Sequence, residues 1–284
     1  MPETLPQIVE RMRVVYVDNS IMDRDSNYAR SSEPNPEDQP TSFKEIIEDE
    51  IRRRGSLNHT AIDVLLKQEV YSRQIRDLVK ANNHIQTVPS IVREYLAYGD
   101  ILRDLNNGLN WNNGVPSRNE SSLKRIVEYH QQILTLLKER SLSTEHTEEI
   151  SGVLCRRRMH HPKDHQFFKS RGIKRNTSYA DAQLVARALD FTSENADDTA
   201  IITADLDIVH LVRNFAEFDY SRGLPTEFRD LSLQGTVSVY FPSREHWRPN
   251  LEADLLYKTA PGKKKIVINM KEVIEAHRRL IVGK

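Results

Sequence analysis

The sequence predicts an α/β fold organised around buried, parallel-type strands, and three observations carry that prediction. Val14-Val15-Tyr16-Val17 is an unbroken apolar, mostly β-branched run that stops at Asp18. Such a run, without polar alternation, is the mark of a strand covered on both faces, as inside a parallel sheet. Thr199-Ala200-Ile201-Ile202-Thr203-Ala204 is a second run of the same kind, and it stops at Asp205. Between the two lie segments with apolar residues three and four apart, so strands and helices alternate along the chain.

The elements follow in order. After the first strand, residues 31–42 hold Pro34, Pro36 and Pro40 among polar and acidic residues, which reads as a solvated loop. A helix is predicted from about Phe43 to Arg54, ending at Gly55. A second runs from about Thr60 to Ala81, burying Ile62, Leu65, Leu66, Ile75, Leu78 and Val79. His84–Val88 makes a short strand, and Pro89 suits the first turn of the next helix. There Ile91, Glu94, Tyr95 and Tyr98 share one stripe, and Glu94 is its only carboxylate.

Residues 106–120 are turn-rich, and helices resume over 121–140 and 144–155. Another helix opens after Asn176 and reaches about Leu189, with Asp181, Leu184, Val185 and Ala188 on one face. The second buried strand is followed by a helix over Leu206–Phe215 and by a strand over Thr236–Phe241. The tail carries a strand at 265–269 and a helix with Val273, Ile274 and Leu280 apolar.

Lys plus Arg and Asp plus Glu both number 41 over the 284 residues, so net charge points to no class of partner. A single cysteine, Cys155, excludes an intrachain disulfide and suits a reducing cytosol. No stretch has the apolar length of a signal peptide or membrane span, so the expectation is a soluble, cytoplasmic protein without a membrane partner.

The chemistry is carried by four carboxylates. Asp18 and Asp205 end buried strands, and Glu94 and Asp181 lie on apolar stripes near helix starts. In an alternating α/β fold, strand carboxyl ends and the amino ends of the following helices lie on one edge of the sheet. The four can converge there although 76, 87 and 24 residues separate them in turn. Gathered without counter-charge, such groups repel and resist ionisation. A hard divalent cation removes that penalty, and Mg²⁺ or Mn²⁺ suits an all-oxygen site. The reaction class expected of such a site is metal-dependent phosphodiester hydrolysis. Local structural roles compete with this reading: Asp181 with Ser178 fits a capping box, and Asp205 fits a helix N-cap.

Four segments taken together resemble the PIN-domain ribonucleases: VVYVDNS, TVPSIVREYL, SYADAQLVARAL and AIITADLDIV. The resemblance covers about half of the chain. It implies a three-layer α/β/α fold with a central, mainly parallel sheet, helical insertions and a C-terminal extension. On that basis residues 1–241 form the nuclease-like domain, with insertions at about 20–60 and 106–175, and residues 242–284 the strand–helix extension. It further implies endonuclease activity on RNA, dependent on Mg²⁺ or Mn²⁺. Asp18, Glu94, Asp181 and Asp205 would be the metal-binding and catalytic set, with Asp207 as an auxiliary acid and Thr203, Asn19 and Ser20 orienting them by hydrogen bonding. A homodimer and a regulatory protein partner are also compatible with it. One position departs from the pattern: the family often has Asn two residues after the first Asp, where this chain has Ser20 next to Asn19.

Residues 156–175 hold eight Lys or Arg, three His and one acid. Arg156, Arg157, Arg158, Lys163, Lys169, Arg171, Lys174 and Arg175 are therefore candidate phosphate contacts, and Phe167, Phe168 or Tyr179 could stack a base. A solvated basic loop is the plainer alternative. His160, His161 and His165 lack the paired spacing of a structural zinc site. Two rival functions remain: an inert scaffold that binds RNA or protein, and a phosphatase-type hydrolase with Asp18 as nucleophile. The second requires an acid/base where Ser20 stands.

Overall fold

The structure is a computed structural model that describes residues 3–22, 47, 59–108, 117–157, 178–217, 233–242 and 251–259. In the strand Val14–Val17 (β2) all four residues are buried, Val15 and Tyr16 completely. The unbroken apolar run is thus covered on both faces, as its composition requires. Thr199–Ile202 (β4) is equally buried and lies parallel to β2, with Val14 opposite Thr199 and Val17 opposite Ile202. On the other side of β2 runs Ile85–Gln86 (β3), also parallel and shorter than the predicted span. Val237–Pro242 (β5) adds a further parallel neighbour to β4.

The sheet is completed by Glu252–Lys258 (β6) and Glu3–Thr4 (β1), giving the order β1-β6-β5-β4-β2-β3. Both β5/β6 and β1/β6 are antiparallel, so the sheet is mixed. Three pairings, β2/β3, β2/β4 and β4/β5, are parallel, and the two antiparallel ones lie at this edge. Only residues 243–251 separate β5 from β6. A parallel return needs a crossover of a dozen or more residues, so the chain has to come back antiparallel. β6 thus joins the same sheet as β2, β4 and β5.

Seven α-helices occur among the described residues: Leu5–Arg11 (α1), His59–Ala81 (α2), Pro89–Gly108 (α3), Ser117–Glu139 (α4), Glu145–Arg157 (α5), Tyr179–Glu194 (α6) and Leu206–Glu217 (α7). Six of them, α2 to α7, overlap helices that the sequence predicts, and α1 has no counterpart there. α2 packs on α4, α3 on α4 and α6, and α5 on α6, while α6 also meets β4 and β5, and α7 meets β5 and β6. Among the described residues, no helix is long and apolar enough to cross a membrane. The loop at 31–42, the helix at 43–54 apart from Ile47, and the tail's strand and helix fall outside the described residues.

From β2 the chain goes to β3 on one side, then returns through α3 to α6 to place β4 on the other side. The carboxyl ends of β2 and β4 therefore flank a topological switch point, where open α/β sheets bind ligands.

Candidate active site

The strand ladder continues past both strand ends: Asp18 N–H donates to the Ile202 carbonyl at 3.1 Å and Thr203 N–H to that of Tyr240 at 3.0 Å. This fixes Asp18 beside Thr203. Asp18, only 3 % exposed, is held by four donors. The Asn19 N–H reaches Oδ1 at 2.7 Å, and the Ser20 N–H reaches Oδ2 at 3.3 Å. The Ser20 hydroxyl donates to Oδ2 as well, as does the Thr203 hydroxyl at 3.0 Å.

Each hydroxyl also accepts a backbone N–H from the segment after β4: Ser20 Oγ from Ala204 at 2.8 Å and Thr203 Oγ1 from Asp205 at 2.8 Å. The two side chains therefore relay donors from the end of β4 onto the carboxylate at the end of β2. Ser20, where the resemblance expects Asn, joins the two strand ends through one hydroxyl. Ser20→Ala strands the Ala204 N–H and removes a donor from Asp18, so a loss of about 1–3 kcal/mol is expected. It is read as a lower urea midpoint with unchanged slope; an unmoved midpoint would show that the relay contributes nothing.

The helices bring the other acids. Pro89 starts α3, and Glu94 lies in its second turn. Its neighbour Tyr95, fully buried, donates its hydroxyl to the Asp18 carbonyl at 3.2 Å and so ties α3 to the end of β2. Asp181 is the third residue of α6, and it serves the capping box: its N–H donates to Ser178 Oγ at 3.0 Å, and its Oδ2 accepts from the Ser178 N–H at 3.4 Å. Asp205 Oδ1 accepts from the Asp207 N–H at 2.7 Å, an N-cap contact at the start of α7. The capping alternatives are thus real. They do not compete with a site, because capping also aims each carboxylate at the helix amino end, where a negative charge is favoured.

Electrostatics show which acids are neighbours. Asp18 is pushed up by burial, which outweighs its hydrogen bonds from Ser20, Thr203 and Asn19. Glu94 is pushed up to about 7, first by burial and then by the charges of Asp18 and Asp205. Asp181 is pushed up to about 8 by burial, Asp205, Asp18 and, more weakly, Glu94, against the Ser178 hydrogen bond. The charges acting on Glu94 and Asp181 are thus those of the other acids in the predicted set. Asp207 enters through its backbone contact to Asp205.

This is an oxygen-only donor set under mutual repulsion, and Asn19 Oδ1 beside it is buried without a hydrogen-bond partner. The chemistry of the set fits a hard divalent cation. The side chains are not drawn into a ready cage: among the described residues, no three His, Cys, Asp or Glu side chains are close enough to hold a metal as they stand.

A second buried acid on α6 makes the contrast. Asp190, fully buried, accepts from Thr144 Oγ1, Thr147 Oγ1 and His146 Nδ1, each at 2.7 Å, and from Arg187 at 3.2 Å. Burial acts to raise its carboxyl, but the threonine and histidine contacts bring it below the usual range. Asp190 is a satisfied structural acid that docks α6 on the amino end of α5. Repulsion among like charges distinguishes the Asp18 cluster from it.

Sequence reasoning missed the clasp between the two acid-bearing helices. Gln183, 2 % exposed, accepts at Oε1 from the Ser90 N–H at 3.0 Å and from the Ser90 hydroxyl, satisfying an amino-terminal donor of α3. A glutamine within the apolar first half of α6 was the available signal. Arg156 and Arg157 end α5, while Arg158, Lys163, Lys169, Arg171, Lys174, Arg175 and the three histidines of that segment lie outside the described residues.

Comparison with family models, with curated proteins and with solved structures finds no match.

Proposed function

We propose that this chain is a metal-dependent endonuclease of the PIN type that hydrolyses phosphodiester bonds in RNA. The observation that carries the reading is the mutual repulsion of Asp18, Glu94, Asp181 and Asp205 at the switch point of the sheet, which a cation would relieve. Asp18, Asp181 and Asp205 would hold Mg²⁺ or Mn²⁺, and the ion would stabilise charge on the phosphoryl group and activate water. The chain's own contribution begins with Ser20 and Thr203, which fix the Asp18 carboxylate by donating to it. Glu94, pushed up to about 7 by burial and by the charges of Asp18 and Asp205, is suited to take a proton from the attacking water at its carboxylate.

The loose spacing of the acids favours one alternative, a PIN-like scaffold that binds RNA or a protein partner without cutting. A phosphatase-type role is disfavoured, because the Ser20 hydroxyl is engaged with Asp18 and Ala204. Incubation of the full chain with single-stranded RNA over a Mn²⁺ titration separates the readings. Internal cleavage products that appear with Mn²⁺ and vanish with EDTA are expected. Binding without products at every metal concentration would replace the nuclease by the scaffold.

A further inference from the structure

At the amino end of α6, the helix that carries Asp181, stands an aromatic ring that the core does not use. Tyr179, the first residue of α6 and two before Asp181, is 43 % exposed, whereas the other described tyrosines named in the core are nearly or fully buried. An exposed ring is ordinarily free to turn, but this one is anchored. Its hydroxyl donates to the Glu148 carboxylate on α5. Glu148 is itself fixed by the Ser143 hydroxyl at 2.5 Å and by Gln183 Nε2.

The bracket therefore runs from Tyr179 through Glu148 to Gln183, the residue that clasps α3 to α6. Arg93, exposed and adjacent in sequence to Glu94, places its charge within reach of both Glu148 and Tyr179. A pre-oriented ring two residues before Asp181 and a guanidinium next in sequence to Glu94 thus share one surface, and these are the two parts needed to hold one nucleotide: a stacking face and a phosphate partner.

We infer that Tyr179 is a stacking platform for one unpaired base of single-stranded RNA, positioning the adjacent phosphodiester at the Asp18 cluster. This rests on the nuclease reading and narrows its substrate to RNA with an unstacked base, because a base inside a duplex offers no free face. Arg93 meets the neighbouring phosphate. Ring orientation by Glu148 reduces the side-chain entropy lost on stacking.

The test uses the full chain in EDTA, so that binding is read without cleavage. The probe is a U-rich single-stranded RNA 12-mer carrying 2-aminopurine at one position, moved along the strand in successive probes. Wild type is expected to quench 2-aminopurine strongly at one position. Tyr179→Ala should lose that quench and bind about ten-fold more weakly. Tyr179→Phe, which keeps the ring, should retain most of both. With Mn²⁺ added, Tyr179→Ala should raise KM more than it lowers kcat, and blunt duplex RNA should bind all three proteins alike.

If Tyr179→Ala quenches and binds like wild type while wild type still cleaves, the platform is wrong and the nuclease stands. If Tyr179→Phe fails as badly as Ala, the hydroxyl bond to Glu148 matters rather than the ring, and the platform is overturned. If wild type binds no single-stranded RNA, both readings fall together.

Discussion

Asp18→Asn is expected to abolish Mn²⁺-dependent cleavage, by about 10³-fold or more, while the protein stays folded. Asn keeps the shape of the side chain, and its carbonyl oxygen can take the Oδ2 position, where Ser20 N–H, Ser20 Oγ and Thr203 Oγ1 all donate. The amide nitrogen then faces the Asn19 N–H, a single lost hydrogen bond that costs about 1 kcal/mol. Against this, a neutral side chain no longer suffers the burial that raises the Asp18 carboxyl. The melting temperature should therefore stay close to that of wild type. What the variant lacks is the negative charge at the centre of the donor set. Removing it also lowers the Glu94 and Asp181 pKa values, since Asp18 is one of the charges that raise them. Turnover of a fluorogenic single-stranded RNA with Mn²⁺, alongside a thermal melt, is the measurement. Undiminished turnover in a folded variant would sink the mechanism.

The second large effect is on stability and its pH dependence. Glu94 at about 7 and Asp181 at about 8 lie far above the ordinary carboxylate range near 4. Between about pH 4 and pH 8 the folded state then binds more protons than the unfolded chain, so these groups make stability fall as pH rises. Their penalty is absent below the unfolded pKa and complete above the folded one. His130 acts in the opposite sense over the lower part of that window. It is 1 % exposed, sits between the Tyr95 and Tyr98 rings, and is pushed down to about 4 by burial and the charge of Arg103. Its contribution grows as pH rises towards the unfolded histidine value near 6.5.

A comparison of variant with wild type cancels His130 and isolates the acids. In EDTA, Asp181→Asn should exceed wild type by about 1–1.5 kcal/mol near pH 5 and by on the order of 2–5 kcal/mol at pH 8. Asn can still accept from the Ser178 N–H, so the capping box survives. Urea midpoints at pH 5, 6.5 and 8 give the answer. A difference that does not grow with pH would mean that Asp181 carries no repulsion. Added Mn²⁺ at pH 8 should raise the wild-type midpoint, because an ion that binds only the folded state stabilises it by mass action.

Much of this site was legible in advance because its parts obey local rules. β2 and β4 could be read from unbroken apolar runs, since alternation disappears when both faces of a strand are covered. The start of α3 at Pro89 and of α6 after Ser178 follow from the physics of helix termini. The electrostatic meeting of Asp18, Glu94, Asp181 and Asp205 follows from strand carboxyl ends and helix amino ends sharing one edge. β6 was not legible. A register shift between Val239 and Tyr240 puts Leu256 and Tyr257 both inside and leaves Asp254 and Leu255 both outside. A bulge of that kind erases the period of two by which a strand is recognised.

By itself, then, the sequence determined which residues carry charge and at which end of which element each stands. Those properties depend on neighbours a few positions away, whose spacing the chain carries in itself. Only the tertiary structure decided which acids feel one another. Asp181 and Asp190 occupy the same helix nine positions apart. One is raised by burial and then by other carboxylates, and the other is lowered by Thr144, Thr147 and His146 at the start of α5. Local partners differ too, Arg187 for Asp190 and Ser178 for Asp181, but the direction of each shift is set by burial and by charges and donors brought close through space. Ser20 shows the same division. In the sequence it is a departure from a motif; in the fold its hydroxyl joins the ends of two strands 183 residues apart to the central carboxylate.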